Sequence, residues 1–175
     1  MNVTINKSPY KRDSRPKIVV APNKERILFT TKFETTDIYL KEGEKLTFVA
    51  FIKNGWEGKK TLSFHFDGKN SIVKCFIFIV GRGREEFCFE TISNHKVPQT
   101  KAYYYVRNVL FDQSKVDYKG SLIIQKDAQM TDAYLSHHSL MMSGDASAHT
   151  IPSLEIEADD VKAGHAATVG NVDEE

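Results

Sequence analysis

Ser121-Leu-Ile-Ile-Gln-Lys-Asp-Ala128, Ser139-Leu-Met-Met-Ser-Gly-Asp-Ala146 and Ser153-Leu-Glu-Ile-Glu-Ala-Asp-Asp160 are three renderings of one eight-residue phrase. Each opens on a run suited to a strand and closes on an aspartate suited to a turn, so the phrase describes one supersecondary unit used repeatedly. The first and third copies lie 32 positions apart. Stepping back 32 from Ser139 reaches Arg107, beside Asn108-Val-Leu-Phe-Asp-Gln-Ser114, and the same step from Ser121 reaches Phe89 inside Glu86-Phe-Cys-Phe-Glu90. Two strands per turn of about 32 residues predict an all-β, right-handed parallel β-helix from about Leu62 to Gly170, preceded by strands that begin or cap it. Leu122, Ile124, Leu140, Met142, Leu154 and Ile156 are its expected inward positions. A β-sandwich or jelly roll with evenly spaced strands is the alternative.

Working outward, residues 1–26 are basic and interrupted by Pro9, Pro16 and Pro22, which reads as an N-terminal arm or edge with one strand-like run, Ile18-Val-Val-Ala21. Residues 27–175 read as a single domain. Strands are expected at Ile27–Thr31, Asp37–Leu40, Leu46–Phe51 and Leu62–Phe66, with Asn54-Gly55 supplying positive φ in a turn. Ile72-Val-Lys-Cys-Phe-Ile-Phe-Ile-Val80 is the most apolar run, and its lack of alternation predicts a strand covered on both faces. Gly81-Arg-Gly-Arg84 reads as a tight turn, because it lacks the third glycine, the lysine and the following helix of a phosphate cradle. Thr91–Thr100 reads as a polar connection, and Tyr103–Val106 and Val109–Phe111 as the next strands.

The chain has 175 residues, 41% of them hydrophobic and 27% charged, enough for one core and short for two domains. A net charge of +1 gives no general reason to bind nucleic acid or a membrane. No signal-like or membrane-length apolar run occurs, so a cytosolic chain with reduced Cys75 and Cys88 is expected.

Cys75 and Cys88 are thirteen apart without a CxxC companion and sit among Phe and Ile, so they read as buried thiols before they read as metal ligands. His137 and His138 are adjacent, face opposite sides of a strand and cannot share a metal. His65-Phe-Asp67 does not supply the histidine set of a cupin metalloenzyme, which is the alternative functional class.

Gly120-Ser-Leu-Ile-Ile, Ala128-Gln-Met-Thr-Asp-Ala133, Ile151-Pro-Ser-Leu-Glu-Ile-Glu-Ala-Asp-Asp-Val161 and His165-Ala-Ala-Thr-Val-Gly170 together resemble the SufB/SufD family, on its SufD side, in sequence and order. The resemblance covers Tyr118 to Glu175 and is most specific from Pro152 to Gly170. It implies a β-helix core acting as a non-catalytic scaffold of SUF iron-sulfur cluster assembly. It also implies a transient cluster shared with a partner rather than one stably bound, and a homodimer or a SufB-like partner. His165 falls where the family has a histidine near the interface of two β-helices, and imidazole can bind iron or orient a thiolate. Metal candidates are therefore His165, Cys75 and Cys88. The family's assembly cysteines fall on Ile156 and Ala163, and Ala166 stands where glycine is usual. The helical region that docks the SufC ATPase in the family would follow Glu175, so SufC docking is not expected of this sequence. A β-helix leaves unpaired strand edges at its ends. A dimer centred on Pro152, Leu154, Ile156, Asp159, Asp160 and Thr168 is expected, its acidic surface (Glu155, Glu157) favouring a basic partner such as Lys7, Lys11 and Arg12 of a second copy. A β-helix interaction module without assembly activity is the third reading.

Overall fold

The computed structural model describes residues 17–19 and 25–171. Residues 1–16 and 20–24 of the expected arm, including Lys7, Lys11, Arg12 and Arg15, and the acidic tail at 173–175 lie outside the described residues. The strands are β1 (Lys17–Val19), β2 (Glu25–Thr30), β3 (Thr36–Leu40), β4 (Lys45–Ile52), β5 (Lys59–Phe66) and β6 (Ile72–Gly81). They continue as β7 (Glu86–His95), β8 (Lys101–Leu110), β9 (Lys115–Ile124), β10 (Thr131–Met141), β11 (Ser147–Ile156) and β12 (Val161–Asn171). No helix occurs among the described residues. Odd-numbered strands form one six-stranded sheet in the order β1-β3-β5-β7-β9-β11, and even-numbered strands the other, β12-β10-β8-β6-β4-β2. Every pairing is parallel. The chain crosses from one sheet to the other and advances by one strand each time, which is a β-helix with two strands per turn. Sandwich, jelly-roll and cupin folds need antiparallel pairs and do not fit. The stack takes in the early strands as well, down to Lys17–Val19.

The repeat holds where the phrase is closest: Ser121 pairs with Ser153, Leu122 with Leu154 and Ile124 with Ile156. Elsewhere the period is not 32. Lys17 pairs with Asp37, Glu86 with Lys115 and Ser147 with Lys115, so one turn lengthens from 20 residues through 29 to 32, and the last pairing, Thr131 with Val161, steps by 30. Ser139 accordingly pairs with Asn108, one residue from the expected Arg107, and Ser121 pairs with Ile92 rather than with Phe89. A shift of one residue exchanges the faces of a strand, and the middle phrase shows it. Ser139 is the inward residue, Leu140 points outward at 41% exposure, and Met142 lies past the end of β10, so neither Leu140 nor Met142 belongs to the inward set. Leu122 and Ile124 do, at 1% and 0% exposure.

Two other expectations change. Thr91–His95 is the second half of β7 and not a connection, because its inward side chains Thr91, Ser93 and His95 satisfy one another and neighbouring coils inside the stack. Along β6, Val73, Cys75, Ile77 and Ile79 are buried, whereas the alternate Phe76 and Phe78 face outward, Phe78 at 38% exposure; among the described residues the strand is covered on one face only.

The structural repeat that sequence reading did not find is a corner. Gly43, Asn70, Gln99 and Met130 all adopt positive φ, 59–70°, and each is followed by a buried polar residue: Glu44, Ser71, Thr100 and Thr131. The left-handed residue turns the chain into the next strand, and the side chain after it ties the corner down, as in the Ser71 hydroxyl donating to Gly68 C=O and that of Thr131 to Ala128 C=O. At the Asn54-Gly55 turn the positive φ falls on Gly58 instead (73°), while Gly83 (60°) makes the tight turn after β6.

The core changes character along the axis. The early and middle coils are filled by rings: Phe33 stacks on Trp56 at 5.4 Å, Phe89 meets Tyr118 at 4.7 Å, and Phe66 stacks on His95 at 4.1 Å. Towards the C-terminal coils the inward residues become small or polar: Ala133, His137, Ser139 and Thr150.

Candidate functional site

The last coil is β11, the turn 157–160 and β12, the outer strand of each sheet among the described residues. The register with buried partners in β9 and β10 assigns its inward residues. On β11 these are Ala148, Thr150, Pro152, Leu154 and Ile156, above Val116, Tyr118, Gly120, Leu122 and Ile124. On β12 they are Val161, Ala163, His165, Ala167 and Val169, above Thr131, Ala133, Leu135, His137 and Ser139. These residues share the inward face but not the burial: Leu154 is 37% exposed, Ile156 43% and Val169 45%, and His165 is exposed. No further coil covers them among the described residues, so the buried environment expected for Leu154 and Ile156 is not formed within this chain.

Sequence chemistry suits the strand to that position. Pro152 cannot donate to a ladder and is tolerated in an outer strand. It pairs with Gly120, where an added Cβ would meet Leu135 Cδ1 at 2.3 Å and Tyr118 Oη at 2.8 Å. Leu135 is itself the strand partner of His165. The histidine therefore stands one strand beyond a tightly packed contact between the two sheets.

The other candidates divide between surfaces. Asp159 and Asp160 are exposed in the turn, which is held to the preceding coil: Asp160 N–H donates to Gln129 Oε1 at 2.9 Å, Met130 N–H donates to Asp160 C=O at 2.6 Å, and Ala158 is buried beneath. Thr168 pairs with His138 and lies on the outer face of the β12 sheet, away from the row containing His165. Pro152, Leu154, Ile156 and His165 thus share the terminal inward face, Asp159 and Asp160 flank it, and Thr168 does not.

Cys75 is buried on β6, three strands from β12, or about 14 Å at ordinary strand spacing, and burial pushes its thiol well above the usual range. Cys88 is half-buried on the outer face of β7. The two cysteines and His165 occupy three separate places. Among the described residues no three His, Cys, Asp or Glu side chains converge where they could hold a metal ion. His65, on the outer face of β5, is bonded to Asp37 at 3.1 Å and stacked on Tyr39.

Beneath the terminal face lies a polar group that sequence reading passed over. Asn108 Nδ2 donates to His137 Nε2 at 2.6 Å and to Ser139 Oγ at 2.9 Å, so the ring proton sits on Nδ1, which donates to Thr150 Oγ1 on β11 at 2.7 Å. Desolvation pushes the His137 imidazole down to about 4. A second set is fully ordered by its donors. Thr131 donates to Ala128 C=O, Thr100 to Thr131, His95 Nδ1–H to Thr100, and Ser93 to His95 Nε2; burial pushes His95 down to about 3. Both histidines are neutral structural members of the interior. Their only trace in the sequence is a histidine two positions from a serine, Ser93-Asn-His95 and His137-His-Ser139, which marks an inward pair only once the strand's phase is known.

The family model described as SUF system FeS cluster assembly, SufBD core domain, matches residues 17–175. The iron-sulfur cluster assembly protein SufD of Escherichia coli (strain K12) is 27% identical over 143 residues, 82% of this chain and 34% of that protein. The protein of the same name from Bacillus subtilis (strain 168) is 32% identical over 115 residues, 66% of this chain and 26% of that protein. The chain spans about a third or less of the length of these relatives. A parallel β-helix in two sheets, with the family's domain matched along nearly all of it, places the chain in the SufBD core family of the SUF iron-sulfur cluster assembly system.

Proposed function

We propose that the protein is a cytosolic, non-catalytic scaffold of SUF-type iron-sulfur cluster assembly, pairing through its last coil with a SufB-like chain or a second copy and sharing a transient cluster as cargo across that junction. The observation that carries the reading is the terminal inward face. Leu154, Ile156 and Val169 stand in register with a closed core and yet remain exposed, with His165 among them. Apolar rows bounded by open strand edges are stabilised when another strand pair covers them. Imidazole is the donor at that surface that can accept iron, and thiolates would come from the partner, since Ile156 and Ala163 offer none. Exposed Glu155, Glu157, Asp159 and Asp160 border the face and favour a partner with cations there.

Anaerobic reconstitution with iron and sulfide, alone and with a cysteine-bearing SufB-type chain, tests the reading. The mixture is expected to form a cluster absorbance that the chain alone does not, and His165→Ala to reduce it with the fold intact. No cluster in either mixture would leave a β-helix interaction module instead. Light scattering at several concentrations reads the pairing: Ile156→Asp is expected to hold the mass at that of one chain, and an unchanged dimer would remove β11 from the junction.

A further inference from the structure

The two sheets present different outer faces. On the odd-numbered sheet, charges answer one another. Glu90 accepts both Lys59 at 2.5 Å and Lys119 at 3.5 Å, Lys115 meets Glu86 at 3.8 Å, and His149 meets Asp117 at 3.7 Å. On the even-numbered sheet, Lys45, Lys53, Lys74, Lys101, Arg107 and Lys162 face outward against two carboxylates, Glu25 and Asp132, and Asp132 already accepts the Tyr103 hydroxyl at 2.8 Å. Among the described residues none of those six cations is in an ion pair. Between them run apolar rows that cross the strands: Phe29–Val49–Phe76–Tyr105, Phe51–Phe78, and Val80–Val109–Leu140. Ile27 is 72% exposed and Phe29 66%.

A parallel sheet is ordinarily covered on both faces, and the run Ile72–Val80, apolar on both faces except at Lys74, is the pattern of a strand so covered. Among the described residues nothing covers its outer side. We infer that the outer face of the even-numbered sheet docks an acidic amphipathic helix of a partner protein, apolar residues of the helix packing across Phe76, Phe78, Val109 and Leu140 and its carboxylates meeting the lysines. The charge selects the occupant, because a second copy would set cations against cations. The rings separate this occupant from single-stranded nucleic acid. Phe76 and Tyr105 stack on each other at 5.2 Å and 14°, and Arg107 lies over Tyr105 while donating to Ser136 C=O and Oγ. The facing ring surfaces of Phe76 and Tyr105, at the centre of the face, are thus engaged, which leaves ridges suited to interdigitating side chains.

Fluorescence anisotropy with labelled probes on the full chain tests this. The probes are a peptide of about 20 residues with leucines at helical spacing and glutamates elsewhere, its twin with lysine for glutamate, and an oligothymidine of about the same length. The glutamate peptide is expected to bind at least tenfold more tightly than either other probe. Phe78→Ser with Leu140→Ser is expected to weaken it tenfold, and Lys74→Glu with Lys101→Glu to reverse the peptide preference. Ile123→Ser, on the opposite outer face, is expected to change nothing, and circular dichroism reports that each variant keeps its fold. Equal binding of the peptides, preference for the oligonucleotide, binding by none, or equal loss from Ile123→Ser would each overturn the inference. The outcome is independent of cluster formation at the last coil, since no substituted residue lies on β11 or β12.

Discussion

β9 and β11 carry the same phrase in the same register, Leu122 over Leu154 and Ile124 over Ile156, and differ in one respect: the first pair is 1% and 0% exposed, the second 37% and 43%. In a globular core a residue is buried by elements that can come from anywhere in the chain. In a β-helix each coil is covered by its two neighbours, so identical residues acquire different energetics from their place in the stack. The inward row is a property of the strand, and the burial is a property of the next coil.

The comparison is sharpest as a pair of truncations. Leu122→Ala is expected to lose about 2–5 kcal/mol, removing transfer energy and leaving a cavity, whereas Leu154→Ala is expected to lose under about 1 kcal/mol at concentrations where the chain is a monomer. Urea unfolding of both variants measures the gap, and equal losses would show that β11 is covered after all. Glycines give the same contrast through overpacking. Gly120→Ala drives a Cβ to 2.3 Å from Leu135 Cδ1 and should cost about 1–3 kcal/mol; Gly170→Ala, one coil on with nothing within 4 Å, should fall within about 0.5 kcal/mol of neutral.

Acid should break the inner coils through their histidines. His95 and His137 are pushed down to about 3 and about 4 by burial, so below the ordinary 6.5 the unfolded chain binds protons that the folded chain does not. The stability they support is complete above pH 6.5 and falls as pH drops towards 4, by about 1.4 kcal/mol per pH unit per histidine. Thermal melts from pH 7.5 to 4.5 measure the slope, and a flat profile between 6.5 and 4.5 would contradict neutral buried rings. A small effect belongs to the outer face of the odd-numbered sheet, where Glu90→Gln should cost under about 1 kcal/mol and less in high salt, its partners Lys59 and Lys119 being about half exposed.

How legible the molecule is from its residues differs by level. Alternating strand runs, turn residues and a phrase recurring at 32 positions were enough for a parallel β-helix with two strands per turn, and for the pairing of Leu122 with Leu154. Those are local properties, since period-two patterning and turn chemistry act within a few residues. The same reasoning mis-set Leu140 and Met142, because coil length drifts along the chain and a single-residue slip exchanges inside for outside. Thr91–His95 was misread because its hydroxyls and imidazole look solvent-facing until the opposite sheet supplies partners for them.

The candidate site divides in the same way. The family resemblance singled out His165, while residue types alone marked the acidic turn and assigned Cys75 to the interior. That Pro152, Leu154, Ile156 and His165 share one face while Thr168 lies on another was decided by strand register in two different sheets. That no described residue covers this face or the outer side of β6 was decided by tertiary structure alone. A strand's sequence states which side chains are apolar, but only the neighbouring coil, or a partner, removes them from water.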